Sequence, residues 1–127
     1  MALSKFYNLL ESGELVGYAV RPTNPQNLRW ILIKKEKSYS PRLDDIDDED
    51  LIELIIKEHD YKIKHPYRVS ISELPKLIHD SDRYENQEDY VVFENFRFSS
   101  PEEVINFLND FNIPINDIRS AKDINAP

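Results

Sequence analysis

Six carboxylates fall within seven positions at Asp44, Asp45, Asp47, Asp48, Glu49 and Asp50, the densest set of chemically capable side chains in the sequence. Such a set can hold a cation, or it can face a basic surface. A calcium loop of the EF-hand type needs oxygen ligands at fixed intervals, a turn glycine at its sixth position and a bidentate Glu at its twelfth. Counting from Asp45, Asp47 and Glu49 fit, but Asp50 takes the place of the glycine and Ile56 that of the Glu, so the spacing argues against calcium. Two readings are left. Acids ahead of Leu51-Ile52-Glu53-Leu54-Ile55-Ile56-Lys57 suit the positive end of a helix and need no further role. Equally, they form a docking surface for a basic partner. A second acidic group, Asp80, Asp82, Glu85, Glu88 and Asp89, is the other candidate for partner contact.

The distribution of charge bears on that choice. Residues 21–42 carry Arg21, Arg29, Lys34, Lys35, Lys37 and Arg42 against Glu36, whereas residues 44–60 carry nine acids against Lys57. If these segments pair with each other, the net acid open to a partner lies in the second group. The whole chain has a net charge of −8, which opposes binding to a nucleic-acid backbone, because that needs bases to displace phosphate counterions. It favours a basic protein partner, although acidity also simply keeps a small protein dissolved.

Other chemistries find less support. His59, His65 and His79 are the only histidines, and His59-Asp60 and His79-Asp80 put a carboxylate beside an imidazole in sequence. Adjacent residues do not face each other on a helix. Neither an H-x-x-x-H spacing nor an H-E-x-x-H motif occurs, so no metal site is expected. Without cysteine there is no thiol nucleophile, thiolate metal site or disulfide framework. With only Gly13 and Gly17 the chain cannot build a glycine-rich phosphate cradle, and no G-x-S-x-G elbow is present. No cofactor is implied.

The elements that would position these residues form a single α+β domain over 1–127, expected to fray at 123–127. Leu3, Phe6, Tyr7 and Leu10 recur at helical spacing before Gly13, which predicts an N-terminal amphipathic helix. Val16, Tyr18 and Val20 alternate, and after a Pro22–Asn27 loop so do Trp30 and Leu32 against Ile31 and Ile33, a pattern that predicts a hairpin. Its charged end, Lys34–Lys37, is expected to run out beyond the sheet. A helix is predicted from about Asp48 to Glu58 with Asp47 as N-cap, then short alternating pieces at Tyr61–Lys64 and Tyr67–Ile71. Ser72 is expected to cap a short helix through Leu74, Leu77 and Ile78. Tyr90–Phe98 reads as a central strand buried on both sides. Ser100-Pro101-Glu102-Glu103 then carries the capping-box spacing with proline at the first helical position, ahead of the stripe Val104, Ile105, Phe107, Leu108 and Phe111. The architecture expected is a mainly antiparallel sheet of three to five strands with helices packed on it.

No apolar run approaches the ~20 residues that span a bilayer and no signal-peptide pattern opens the chain, so a cytoplasmic location without membrane contact is expected. Three functions are consistent with these residues. Acidic clusters without catalytic motifs favour a protein-binding module, an inhibitor or immunity-type antidote that blocks a basic toxin or nuclease. A regulatory or scaffold subunit acting as a homodimer, covering two-sided apolar strands such as Trp30–Ile33, is the second. The third is an enzyme without a short motif, using His59 or His79 with a carboxylate as acid and base.

Overall fold

Period-two alternation in four segments and helical periodicity in three set the architecture. Helix α1 (Ala2–Glu11) precedes strands β1 (Val16–Val20) and β2 (Asn27–Lys35), helix α2 (Glu49–Lys64), strand β3 (Tyr67–Pro75) and a short helix α3 (Lys76–His79). Strand β4 (Val92–Phe98), helix α4 (Pro101–Asp110) and strand β5 (Arg119–Ser120) complete the chain. The structure is a computed structural model describing residues 2–37, 40–80 and 87–127. The strands form one five-stranded antiparallel sheet in the order β4-β3-β2-β1-β5, an α+β fold. No helix among the described residues is long and apolar enough to cross a membrane.

Alternation divides the side chains between two layers. Tyr18 lies opposite Ile31, Ile31 opposite Ile71, and Val16, Ile33, Val69 and Phe96 form the next row. Onto this face α1 lays Phe6 and Leu10 and α4 lays Val104 and Leu108, all fully buried. Trp30, Leu32 and Leu74 point to the other face, where Leu15, Ile78, Tyr90, Ile124 and Ala126 pack against them. The Trp30 Nε1–H donates to the Ile124 carbonyl at 3.0 Å, so residues 124–126 help to cover this second layer. Trp30–Ile33, read above as a surface for a second copy, is thus covered by the chain's own elements, because both faces of β2 lie under packed groups.

One buried carboxylate ties the first turn to the sheet. Glu73, on β3, is fully buried and accepts hydrogen bonds from the Thr23 N–H (2.8 Å), the Thr23 hydroxyl (2.5 Å), the Asn27 amide (2.8 Å) and Arg29 Nη1 (3.2 Å). Burial works to raise this carboxyl, but the donors on Thr23, Asn27 and Arg29 outweigh it and hold it at about 2. Gly17 is equally constrained, since a Cβ there would overlap the carbonyl oxygen of Ile31. At the end of α1, Gly13 takes the left-handed conformation (φ 77°) that the sequence reserved for it.

Several expectations are corrected. Tyr90–Phe98 is not a central strand: β4 is the sheet edge, with Val91 58% and Phe93 46% exposed, because the nine-residue β2 and β3 take the centre. Lys34 and Lys35 remain inside the ladder, opposite Arg68 and Tyr67. Ser72 lies in β3 facing Trp30, so the helix that follows starts only at Lys76. The Ser100 cap of α4 does form, Ser100 Oγ accepting the Glu103 N–H at 3.3 Å, but the Glu103 carboxylate reaches past the cap residue to the N–H and hydroxyl of Ser99 at 3.1 and 2.8 Å, so the box closes one residue early.

Candidate functional site

Helix α2 is longer than its predicted span and differs from the other long helices, α1 and α4, in its packing. Asp48, not Asp47, is the N-cap, its carboxylate accepting from Asp50 N (3.0 Å) and Leu51 N (3.3 Å). Glu49 and Asp50 occupy the first turn and Lys62 and Lys64 the last, which suits the helix dipole at both ends. The His65 N–H closes the helix on the Tyr61 carbonyl at 2.9 Å, with the imidazole stacked on the Tyr61 ring at 4.3 Å, and Pro66 prevents continuation. Tyr61–Lys64, read from sequence as an extended piece, is therefore the last turn of α2.

None of the 16 residues of α2 is buried. At ~100° per residue, Tyr61, Leu54, Leu51, Ile55, Ile52, Ile63 and Ile56 spread over roughly 220° of the circumference, more than one packed face can cover. Ile52, Ile55, His59 and Lys62 are half-buried and mark the side turned to the body. On one flank of that line Leu51, Leu54 and Tyr61 are 45%, 62% and 50% exposed, and on the other Ile56 and Ile63 are 42% and 53% exposed. Five of the large apolar side chains that are exposed among the described residues, Leu51, Leu54, Ile56, Tyr61 and Ile63, thus belong to this one helix.

Asp44 and Asp45 form a turn just ahead of this helix, and together with Asp47, Asp48, Glu49 and Asp50 they are all exposed. No base of residues 21–42 makes an ion pair with residues 44–60 among the described residues. Arg29 pairs with Glu73, Lys35 with Glu11, and Lys57 and Lys62 with Glu53 and Glu58 on their own helix. The first acidic group is therefore not neutralised by the basic segment. Of the second group, Asp80 follows α3 and is exposed, and Glu88 and Asp89 belong to a 3-10 turn at Gln87–Asp89. Asp82 and Glu85 lie outside the described residues.

The histidines separate. His65 caps α2, and His79 packs against Trp30 with ring centroids 5.0 Å apart. His59 alone faces a cleft of about 350 Å³, between α2 and the sheet, lined also by Glu36, Glu58, Lys62 and Arg97. Both carboxylates in it are engaged: Glu58 with Lys62 at 3.1 Å, and Glu36 with Arg97 at 2.7 Å and Arg68 at 3.8 Å. Burial pushes the Glu36 carboxyl up, and the Arg97 hydrogen bond with the charges of Arg68 and Lys34 overcomes it, leaving it below the usual carboxylate range. Neither carboxylate orients the imidazole by a hydrogen bond among the described residues. Nor do three His, Cys, Asp or Glu side chains converge there in metal-binding range among those residues.

Comparison with protein-family models, with curated proteins and with solved structures finds no match for this chain.

Proposed function

We propose that this protein is an acidic protein-binding module whose docking element is α2, and that it acts as an inhibitor or immunity-type antidote to a basic partner such as a toxin or nuclease. The observation that carries this reading is a 16-residue helix with no buried residue, displaying Leu51, Leu54 and Tyr61 directly after an unneutralised run of acids. A helix that offers apolar anchors at i, i+3 and i+10 enters an apolar groove of its partner, and flanking charges set direction and encounter rate. The acids at 44–50 then face the Lys and Arg with which a nuclease would hold phosphate. Blocking those bases stops the partner without any chemistry in this chain.

Co-purification at low and high salt, followed by binding kinetics on the recovered basic partner, tests the proposal. Leu54→Glu should abolish binding, and Asn at 44, 45, 47 and 48 together should slow association and flatten its salt dependence while the fold persists. A partner whose binding ignores both changes would overturn the reading.

An acid–base function at His59 has one observation in its favour, the cleft that holds it with Glu36 and Glu58. The ion pairs that occupy both carboxylates weigh against it, so it ranks second. Turnover of any substrate that is lost in His59→Ala and retained in Leu54→Glu would reverse this order.

A further inference from the structure

The charge of α2 is asymmetric from end to end. Residues 47–53 hold Asp47, Asp48, Glu49, Asp50 and Glu53 with no base, whereas residues 57–64 hold Lys57, Lys62 and Lys64 against Glu58 and Asp60. The Glu53–Lys57 and Glu58–Lys62 pairs, at 3.4 and 3.1 Å, are satisfied within the helix. Lys64 and the acids of the first turn have no ion-pair partner among the described residues. The two exposed flanks also differ. Asp50, Lys57 and Lys64 recur at intervals of seven and so border the flank carrying Leu51, Leu54 and Tyr61 as a mixed-sign row, whereas Glu49, Glu53 and Asp60, all acidic, border the flank carrying Ile56 and Ile63.

The mixed-sign flank is complementary to itself when reversed. In an antiparallel pair Leu51 and Leu54 of one copy meet Tyr61 of the other, and Asp50 of each faces Lys64 of the other. A two-fold axis repeats every contact. The opposed helix dipoles add to the attraction. Lys57 and Glu58 fall nearest the axis, where Lys57 of one copy comes beside Glu58 of the other, and each is also paired on its own helix, with Glu53 and Lys62. A parallel pair would set Asp50 against Asp50 and Lys64 against Lys64.

Resting on the reading of α2 as the binding element, we infer that in the absence of its partner two copies of this chain pair their α2 helices antiparallel. Each copy covers the other's Leu51, Leu54 and Tyr61, so the docking surface is held closed until a partner competes for it. The helix runs ~24 Å, which places the contact in the small class of interface, below ~1,200 Å², where association is weak and reversible. A weak pair is what a displaceable cover requires.

Sedimentation velocity on the whole chain from ~1 µM to ~1 mM reads the self-association directly. Wild type should shift from monomer to dimer within that range, with the shift suppressed by salt. Asp50→Lys and Lys64→Glu should each weaken the dimer roughly tenfold, since each turns two attractions into repulsions. An equimolar mixture of the two variants should form a heterodimer as tight as wild type. In it the lysine introduced at position 50 of one copy faces the glutamate introduced at position 64 of the other, and the unchanged Lys64 and Asp50 still face each other at the opposite end. Purely monomeric wild type at the highest concentration would overturn the inference, and so would a mixture no tighter than either variant by itself. Partner binding separates the two readings: a monomeric protein that still binds its basic partner through Leu54 sinks only the self-pairing. A dimer that behaves as described while Leu54→Glu leaves partner binding intact sinks the assignment of α2 as docking element and with it the covering role, and leaves the self-pairing standing.

Discussion

Glu73 shows how much a single side chain can hold in this protein. Its carboxyl sits at about 2 in the folded state, against an ordinary carboxylate value in the unfolded chain. The stability it contributes is present above the unfolded value and is lost as pH falls towards the folded one. The shift corresponds to about 3 kcal/mol. Chemical denaturation should therefore show stability falling between about pH 4.5 and pH 2, and Glu73→Gln should remove most of that particular decline while lowering stability at pH 7. An unchanged pH slope in the variant would mean that the network around Glu73 does not set it. Gly17 makes a second demand at this scale. Gly17→Ala forces a Cβ onto the Ile31 carbonyl, so β1 must shift from β2, and a loss of roughly 1–3 kcal/mol or more in the unfolding free energy from urea denaturation is expected because backbone cannot yield as a side chain can. Neither role was legible from the sequence. Glu73 follows Ser72 in what reads locally as a helix start, and the pairing that buries it brings together residues 23 and 73, which no local pattern reports.

At the scale of elements, legibility followed how local each signal was. The α4 start, with Ser100, Pro101 and Glu103, and the α1 end at Gly13 are specified by neighbours within a few positions, and both match the structure. The edge position of β4 was not readable, because alternation in Tyr90–Phe98 tells which residues share a face and not which strands lie on either side. For α2 the apolar run Leu51–Ile56 is visible in the sequence, but periodicity does not say how much of it is covered: Ile52 and Ile55 turn to the body while Leu51, Leu54 and Ile56 stay exposed. The two helices should respond differently to truncation. Phe107 on α4 packs between the rings of Phe96, Phe98 and Phe111 at 4.9–5.2 Å, so Phe107→Ala should cost ~2–4 kcal/mol of global stability. Leu54→Ala on α2 should change global stability by no more than ~0.5 kcal/mol. Removing the cap with Asp48→Ala should lower helicity by circular dichroism at moderate temperature, with Asn at that position nearly silent, since only the helix that Asp48 starts depends on it.

For the molecule as a whole, composition and alternation led to the α+β class and an antiparallel sheet, and the structure has both. Strand order, by contrast, follows from which hairpins close and from β5 returning to β1, contacts that span about a hundred residues and leave no trace in any short window. The sheet and the helices α1 and α4 share one continuous buried layer, while α2 has no buried residue in it. Two parts so unequally anchored open to solvent on separate schedules. Amide hydrogens of Ile31, Ile33, Val69 and Ile71 should exchange with deuterium only through global unfolding, whereas those in the middle of α2 should exchange orders of magnitude sooner, through local fraying of that helix by itself. Self-pairing would make this difference a function of protein concentration: the central amides of α2 should slow as the sample is concentrated, and those of the sheet should keep the same rate.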